Sequence, residues 1–369
     1  MHYTFILPVL HDSHFEKRID NLKKTGINLQ VLGFERNHYP AGDKDKNITS
    51  LGFVEHGKYL KRFPTFLKSL FTVRKKIKNT DIIYCFNIET LLIAWIASLS
   101  RPKKYKLVYD VADIREILIE NKLVSSLLRF IERFLIKRTH TVVVTAPAYI
   151  DGYFHGFLKL FDTQFHVIEN KVDSESFEFK NDISNSIDDT SKTIKIGYFG
   201  VIRCNHSLRL LKDLLEKSNG KFKLYIRGIF QDHLNLMKED LLELDNVHYG
   251  GPFVSPDDLF KIYNDVDLSW TAIYHFKPNV MWSRTNRFYQ ACYFKRPMIT
   301  QEGTPDAEQV KNLEIGLSID LTNPSSSLQK LHEIKPSDVM KWKENINKVP
   351  KSVYILNDEH EVLAKNLVD

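Results

Sequence analysis

Short runs of β-branched and apolar residues alternate with longer amphipathic stretches along the whole chain. That is the pattern of βαβ units building a mainly parallel sheet. In the first half the runs at 3–7, 28–33, 81–85, 106–110, 141–145 and 165–168 predict strands, with helices in the gaps. The rhythm stops at 181–192, where only Ile183 and Ile187 are apolar, and this predicts an interdomain linker. It restarts with strands predicted at 194–199, 223–226, 247–249, 268–270, 298–300 and 317–319. The expectation is α/β: two similar domains in series, 1–180 and 193–345, followed by a helical segment at 346–369.

Composition agrees with that reading. The 369 residues are 43% hydrophobic and 27% charged, with 15 Gly and 13 Pro spread evenly, which excludes collagen-like, solenoid and disordered classes. The longest apolar stretch, 91–99, is about half of the roughly 20 residues a membrane span requires. The first residues read as a strand rather than a signal peptide. Cys85, Cys204 and Cys292 are odd in number and lack metal-ligand spacing, so no disulfide framework or metal site is expected, and the setting is expected to be cytoplasmic.

Charge changes the picture more. Residues 1–180 hold 28 Lys and Arg against 20 Asp and Glu, whereas 181–369 hold 24 against 26. Much of the excess lies in 58–78, where Phe63, Phe66, Leu67, Leu70 and Val73 recur at helical spacing among basic residues. Two readings fit: a helix lying on anionic lipid headgroups, at the inner face of the cell membrane, or a core-facing helix with a solvated basic face. Nucleic acid is not an expected partner, because no helix-turn-helix, zinc-finger or RNP-type pattern accompanies the charge.

In open parallel sheets ligands bind outside the carboxyl ends of the strands, so the residues just after each strand carry the candidate chemistry. The run Ile196-Gly197-Tyr198-Phe199-Gly200-Val201-Ile202-Arg203 ends a strand on glycine and is followed by a helix, predicted from Ser207. Gly200 would let a phosphate approach the backbone, and Arg203 and the helix N-terminus would hold its charge. Arg227 follows the next strand. Further on, Asn279, Ser283 and Asn286 crowd the start of a helix, with Asn286 the expected N-cap. Arg287 and Gln290 share one face of that helix and could hold an anion and a sugar hydroxyl.

On these residues the second half resembles the donor domain of the GT-B glycosyltransferases, most closely glycosyltransferase family 4 of the bacterial polysaccharide-synthesis kind. The motifs are Gly197-Tyr198-Phe199-Gly200, Asn246-Val247-His248-Tyr249-Gly250-Gly251, and Asn286 to Ala291 with Arg296-Pro297-Met298-Ile299. In the first half, 106–113 and 167–173 are similar to the acceptor-domain strand and the segment before the linker. The resemblance implies two Rossmann-like domains facing each other across a cleft, with the helical segment at 346–369 packing back on the first, a nucleotide-sugar donor on the second domain, a glycan or lipid-linked glycan acceptor on the first, and no metal or other cofactor. Gly200, Arg203, Arg227, Asn279, Ser283, Asn286, Arg287 and Gln290 would then be donor-side residues.

Three departures qualify it. Trp282 and Gln290 stand where family 4 has its Glu-x7-Glu carboxylates. The segment Arg287-Phe288-Tyr289-Gln290 is similar instead to the basic-x-x-Gln of the xanthan-type glucuronosyltransferases, an inverting family. Ala112 replaces the family's acceptor-domain histidine, and the loop Pro8 to His14 lacks its glycine pair.

An inverting transfer needs a base for the acceptor hydroxyl, and Asp113, then Asp110, are the expected carboxylates. Asp12, His14 and Asn87 are candidates on the acceptor side, with helix capping as the alternative use of Asp12 and His14. A 2-epimerase acting on the nucleotide sugar alone, and a non-catalytic sugar-nucleotide-binding protein, are the rival classes on the same fold.

Overall fold

The computed structural model describes residues 1–36, 47–55, 59–99, 104–176, 193–274 and 278–368. The chain divides into two units, the first made of Met1–Glu169 with Asn357–Asp369 and the second of Asn170–Leu356. The linker expected at 181–192 lies outside the described residues.

The first unit runs β1 (His2–Leu7), α1 (Ser13–Lys23), β2 (Asn28–Glu35), β3 (Ile48–Phe53), α2 (Tyr59–Lys76), β4 (Ile82–Cys85), α3 (Ile88–Ser98), β5 (Lys106–Val111), α4 (Leu123–Ile136), β6 (Thr141–Val144) and β7 (Phe165–Val167). Its sheet is parallel throughout, in the order β3-β2-β1-β4-β5-β6-β7. Because helices cover both faces, strands such as β4 and β6 are buried at every position, which is why they read as unbroken apolar runs. The order reverses between β1 and β4, so chains leaving those strands diverge and leave room for ligand. β3 was not among the expected strands. It is an edge strand of mixed polar and apolar residues with Gly52 inside it, a weak signal beside the central strands.

The second unit runs β8 (Ile194–Ile202), α5 (Asn205–Lys217), β9 (Phe222–Phe230), α6 (Asn235–Leu242), β10 (Val247–Tyr249), α7 (Leu259–Asn264), β11 (Leu268–Trp270), α8 (Pro278–Trp282), α9 (Asn286–Tyr293), β12 (Met298–Gln301), α10 (Pro305–Leu313), β13 (Gly316–Ile319), α11 (Pro324–Glu333) and α12 (Pro336–Lys348). Its parallel sheet is ordered β10-β9-β8-β11-β12-β13, again reversing beside its first strand. Apolar layers lie on both faces. One is built on Tyr198, Leu211, Ile226 and Trp270, the other on Phe199, Tyr263, Phe288 and Met298.

The division of the chain departs from the expected boundaries at both ends of the second unit. Residues 170–176 were expected in the first domain, yet Val172 N–H donates to Tyr354 O (2.8 Å) and Leu356 N–H to Val172 O (2.9 Å), which ties this segment into the second unit. The final helix, α13 (Glu359–Val368), belongs to the first unit. There His360 Nε2 lies 3.1 Å from Arg18 Nη1, and His166 Nε2 lies 2.8 Å from Glu359 O.

Candidate functional site

In the second unit Gly200 and Gly228 pair across the ends of β8 and β9. Gly228 has φ +141°, and a Cβ there would stand 1.8 Å from Gly200 O, so only glycine allows the two strands to meet. Gly200 has φ +97°, and the space a Cβ would enter is bounded by the guanidinium of Arg287, whose nearest atom is 3.7 Å away.

Arg287 comes from the first turn of α9 and is buried. Its Nε–H donates to Phe199 O (2.5 Å) and its Nη2 to Val201 O (2.9 Å), the carbonyls on either side of Gly200. The guanidinium also lies over the Tyr198 ring, 4.9 Å from its centroid. Nη1 is buried and has no protein partner. A desolvated cation with an idle donor is costly unless an anion completes it. The space beside Gly200 is bounded by Nη2 and Nε of this cation, and its positive charge suits that space to a negatively charged group.

The start of α9 is held from β12's side of the unit. Thr285, and not Asn286 as expected, is the N-cap: its Oγ1 accepts from Phe288 N–H (3.2 Å) and donates to Asp306 Oδ2 (2.7 Å). Asp306 Oδ1 accepts Thr285 N–H (3.1 Å). Thr285 wins the cap because only there does a hydroxyl meet both the helix and a buried carboxylate. Asn286 is the first helical residue and is exposed.

Burial pushes the Asp306 carboxyl up to about 7, against the opposing pull of its Thr285 hydrogen bonds and of Arg284 and Arg287. The folded unit therefore keeps a proton that the unfolded chain releases. Its stability contribution is full below the ordinary carboxyl value of 3.8 and is lost as pH rises through about 7. The wild-type melting temperature should accordingly fall more between pH 5 and 8 than that of Asp306→Asn. Parallel curves would show that Asp306 titrates normally.

The other donor-side expectations are met unevenly. Gln290, half-buried, accepts from Tyr263 O–H through Oε1 (3.2 Å), which turns its amide along the same helix as Arg287. Arg203 is exposed just past β8, and α5 begins at Asn205, with Cys204 Sγ accepting from Ser207 N–H. Ser283 Oγ donates to Asn279 O (2.5 Å) and closes the end of α8. Arg227 is engaged elsewhere. Its guanidinium donates to Gly251 O (3.1 Å) and Pro252 O (2.7 Å) and pairs with Asp258 (3.5 Å), latching the loop after β10.

In the first unit a second group gathers after β1 and β5. Asp110 is fully buried, and its Oδ2 accepts from Tyr84 O–H (2.6 Å) and pairs with Arg18 Nε (3.0 Å). Arg18, also buried, continues to His360 and to Ile168 O (3.3 Å). Asp110 is thus a brace between β5, β4 and α1. Asp113 is exposed, just before the 3₁₀ turn that starts at Glu116.

His14, in the first turn of α1, has a buried Nε2 with no partner. Burial lowers its pKa below 6.5; Asp110, Asp12 and Asp113 pull it upward and Arg18 downward. The ring is therefore neutral at pH 7 and surrounded by carboxylates that would stabilise its protonated form. Asp12 caps α1 by accepting His14 N–H (3.0 Å). Asn87 is occupied in a capping box with Thr90 at the start of α3. Among the described residues no three of His, Cys, Asp or Glu come together to hold a metal ion.

Comparison with solved structures places this architecture. The chain is similar to WaaG, a glycosyltransferase involved in lipopolysaccharide biosynthesis, with TM-score 0.68, 14% identity and 99% of both chains covered. It is similar to Anabaena HepE in complex with UDP-glucose, with TM-score 0.67, 14% identity and 99% of both chains covered. For the lipopolysaccharide outer core galactosyltransferase WaaB the TM-score is 0.67, with 13% identity and coverage of 100% and 99%. The chain has the GT-B fold. No family model matches it. Among curated proteins it is 25% identical, over 376 aligned positions, to the succinoglycan biosynthesis protein ExoL of Rhizobium meliloti (strain 1021), covering 97% of this chain and 91% of that one.

Proposed function

We propose that this GT-B protein transfers a sugar from a nucleotide-sugar donor to a glycan or lipid-linked glycan acceptor during polysaccharide assembly. The observation that carries the proposal is Arg287, braced by the carbonyls of Phe199 and Val201 beside Gly200 with Nη1 unpartnered. A diphosphate in the space beside Gly200 meets the charge of the Arg287 guanidinium, with Arg203 and the N-terminus of α5 as further positive partners. Gln290 reaches ribose or sugar hydroxyls. The UDP-glucose complex of HepE and the succinoglycan role in the name of ExoL support the donor class and the setting.

In the reaction the acceptor oxygen forms a bond to the anomeric carbon as the bond to the diphosphate breaks. The nucleoside diphosphate leaves, its growing charge met by Arg287. The acceptor proton passes to the His14 imidazole, with Asp113 stabilising the cation that results.

Titrating UDP-glucose and other nucleotide sugars into the protein by calorimetry tests the donor site. A charge-assisted hydrogen bond is worth ~1.5–3 kcal/mol, so Arg287→Ala should weaken the best donor about ten- to hundredfold. Unchanged affinity in a folded variant removes Arg287 from the site. Conversion of the free donor to its 2-epimer, with no acceptor consumed, would replace transfer by epimerisation.

A further inference from the structure

Helices α2, α3 and α4 form one layer on the first unit's sheet, with α3 between the other two. This follows from topology, since each is a right-handed crossover to a strand on the same side of β1. Their inward residues, such as Val73, Ala94 and Leu135, are core. The outward residues are also apolar. On α2, Phe63, Leu67 and Phe71 recur every four residues and are exposed, Phe71 at 78%. On α4, Leu123, Leu127 and Phe130, spaced four and three apart, are likewise exposed, at 92%, 59% and 68%. Ile96 of α3 is exposed between them. Scattered apolar exposure is ordinary, but two parallel stripes on one face are not.

The same stripes turn basic toward the helix ends. Arg74, Lys75 and Lys78 continue the outward line of α2, and Arg133 and Lys137 that of α4, all exposed. No acidic residue occurs in 63–78. The one in α4, Glu132, is buried, accepting hydrogen bonds from Tyr109 and Tyr153. Both helices run against the strand direction, so their apolar halves lie toward the carboxyl edge of the sheet, the edge that carries Asp113.

We propose that the first unit docks on an anionic lipid bilayer through this face, the stripes of α2 and α4 entering the headgroup boundary and the basic ends resting on lipid phosphates. A second copy of the chain fits the face poorly, because a twofold contact would set these cationic rows against one another. Nucleic acid would leave the apolar stripes in water. The expected amphipathic helix at 58–78 is thereby half of the surface. Phe66 and Val73 face inward, Phe66 against Phe34, while α4 supplies the second half. Docking does not depend on the sugar-transfer reading, though it favours a lipid-linked acceptor.

The test is cosedimentation of the full chain with phosphatidylcholine vesicles, with and without phosphatidylglycerol. Binding should require phosphatidylglycerol and weaken with salt. Lys75→Ala and Lys78→Ala should each lower the partition coefficient about fivefold. Leu127→Glu with Phe130→Glu should lower it at least about tenfold, through lost burial. These exposed side chains lie outside the donor and proton-transfer groups, so nucleotide-sugar affinity and melting temperature, read on the same samples, should not change. Absent binding to anionic vesicles, binding that the α4 pair leaves intact, or a dimer in light scattering that the α4 pair dissolves would overturn the proposal. Loss of donor binding alone would overturn the transfer reading and leave this one standing.

Discussion

Asp110→Asn is expected to destabilise the first unit by about 3–5 kcal/mol, the cost of leaving one partner of a buried ion pair uncompensated. Arg18 and Asp110 are both buried, and Asp110 also accepts the Tyr84 hydroxyl, so the substitution leaves a guanidinium and a phenol short of one charged acceptor. Through Arg18 the loss reaches Ile168 and His360, and so the attachment of α13. Chemical denaturation should show a lower midpoint, with the second unit's transition unmoved. Replacing Arg18 and Asp110 together by Met and Leu should recover much of the loss, because an apolar pair carries no desolvation penalty. A single variant within about 0.5 kcal/mol of wild type would show that the pair is hydrated and that Asp110 is open to substrate after all.

The contrast between Asp110 and Asp113 shows where sequence stops informing. Both were legible as carboxylates at the end of a strand, because the alternation of apolar runs locates strand ends well. Which of the two is buried depends on Arg18, ninety-two positions earlier, and nothing local announces that pairing. The same holds in the second unit. Gly200 and Arg287 stood out by type and position, but the pairing of Gly228 with Gly200 and the hold of Asp306 on Thr285 are tertiary. Capping logic alone favoured Asn286, one residue late. Arg227 was expected just after a strand ending at 226 but lies within β9, and its use could not be assigned, since its acceptors lie on the loop after β10.

Helix α4 escapes notice as a surface for a different reason. Its sequence, Leu123 to Ile136, is amphipathic, but the side that carries Ser125 and Glu132 is buried, so periodicity alone would turn Leu123, Leu127 and Phe130 toward the core. The basic residues of α2 make that helix visible as charge, whereas α4 spreads its basic residues among phenylalanines and isoleucines.

The largest kinetic effect is expected at His14. His14→Asn should lower turnover by about 10² to 10⁴ while leaving donor affinity nearly unchanged, since the proposed loss is of a proton acceptor for the chemical step and not of a donor contact. Burial keeps the imidazole neutral at pH 7, so the acid limb of kcat/KM should fall below 6.5, with activity lost as pH drops through it. Asp113 pulls that pKa upward, so Asp113→Asn should move the limb to still lower pH, with a smaller loss of turnover. The order of the two losses decides the base: a larger effect at Asp113 would make the exposed carboxylate the proton acceptor and His14 its neighbour. The product anomer, read by NMR, separates the remaining case. In a retaining reaction the leaving phosphate can take the proton itself, and His14→Asn would then lie within a few-fold of wild type. An inverted product formed by His14→Asn at the wild-type rate would exclude His14 from proton transfer.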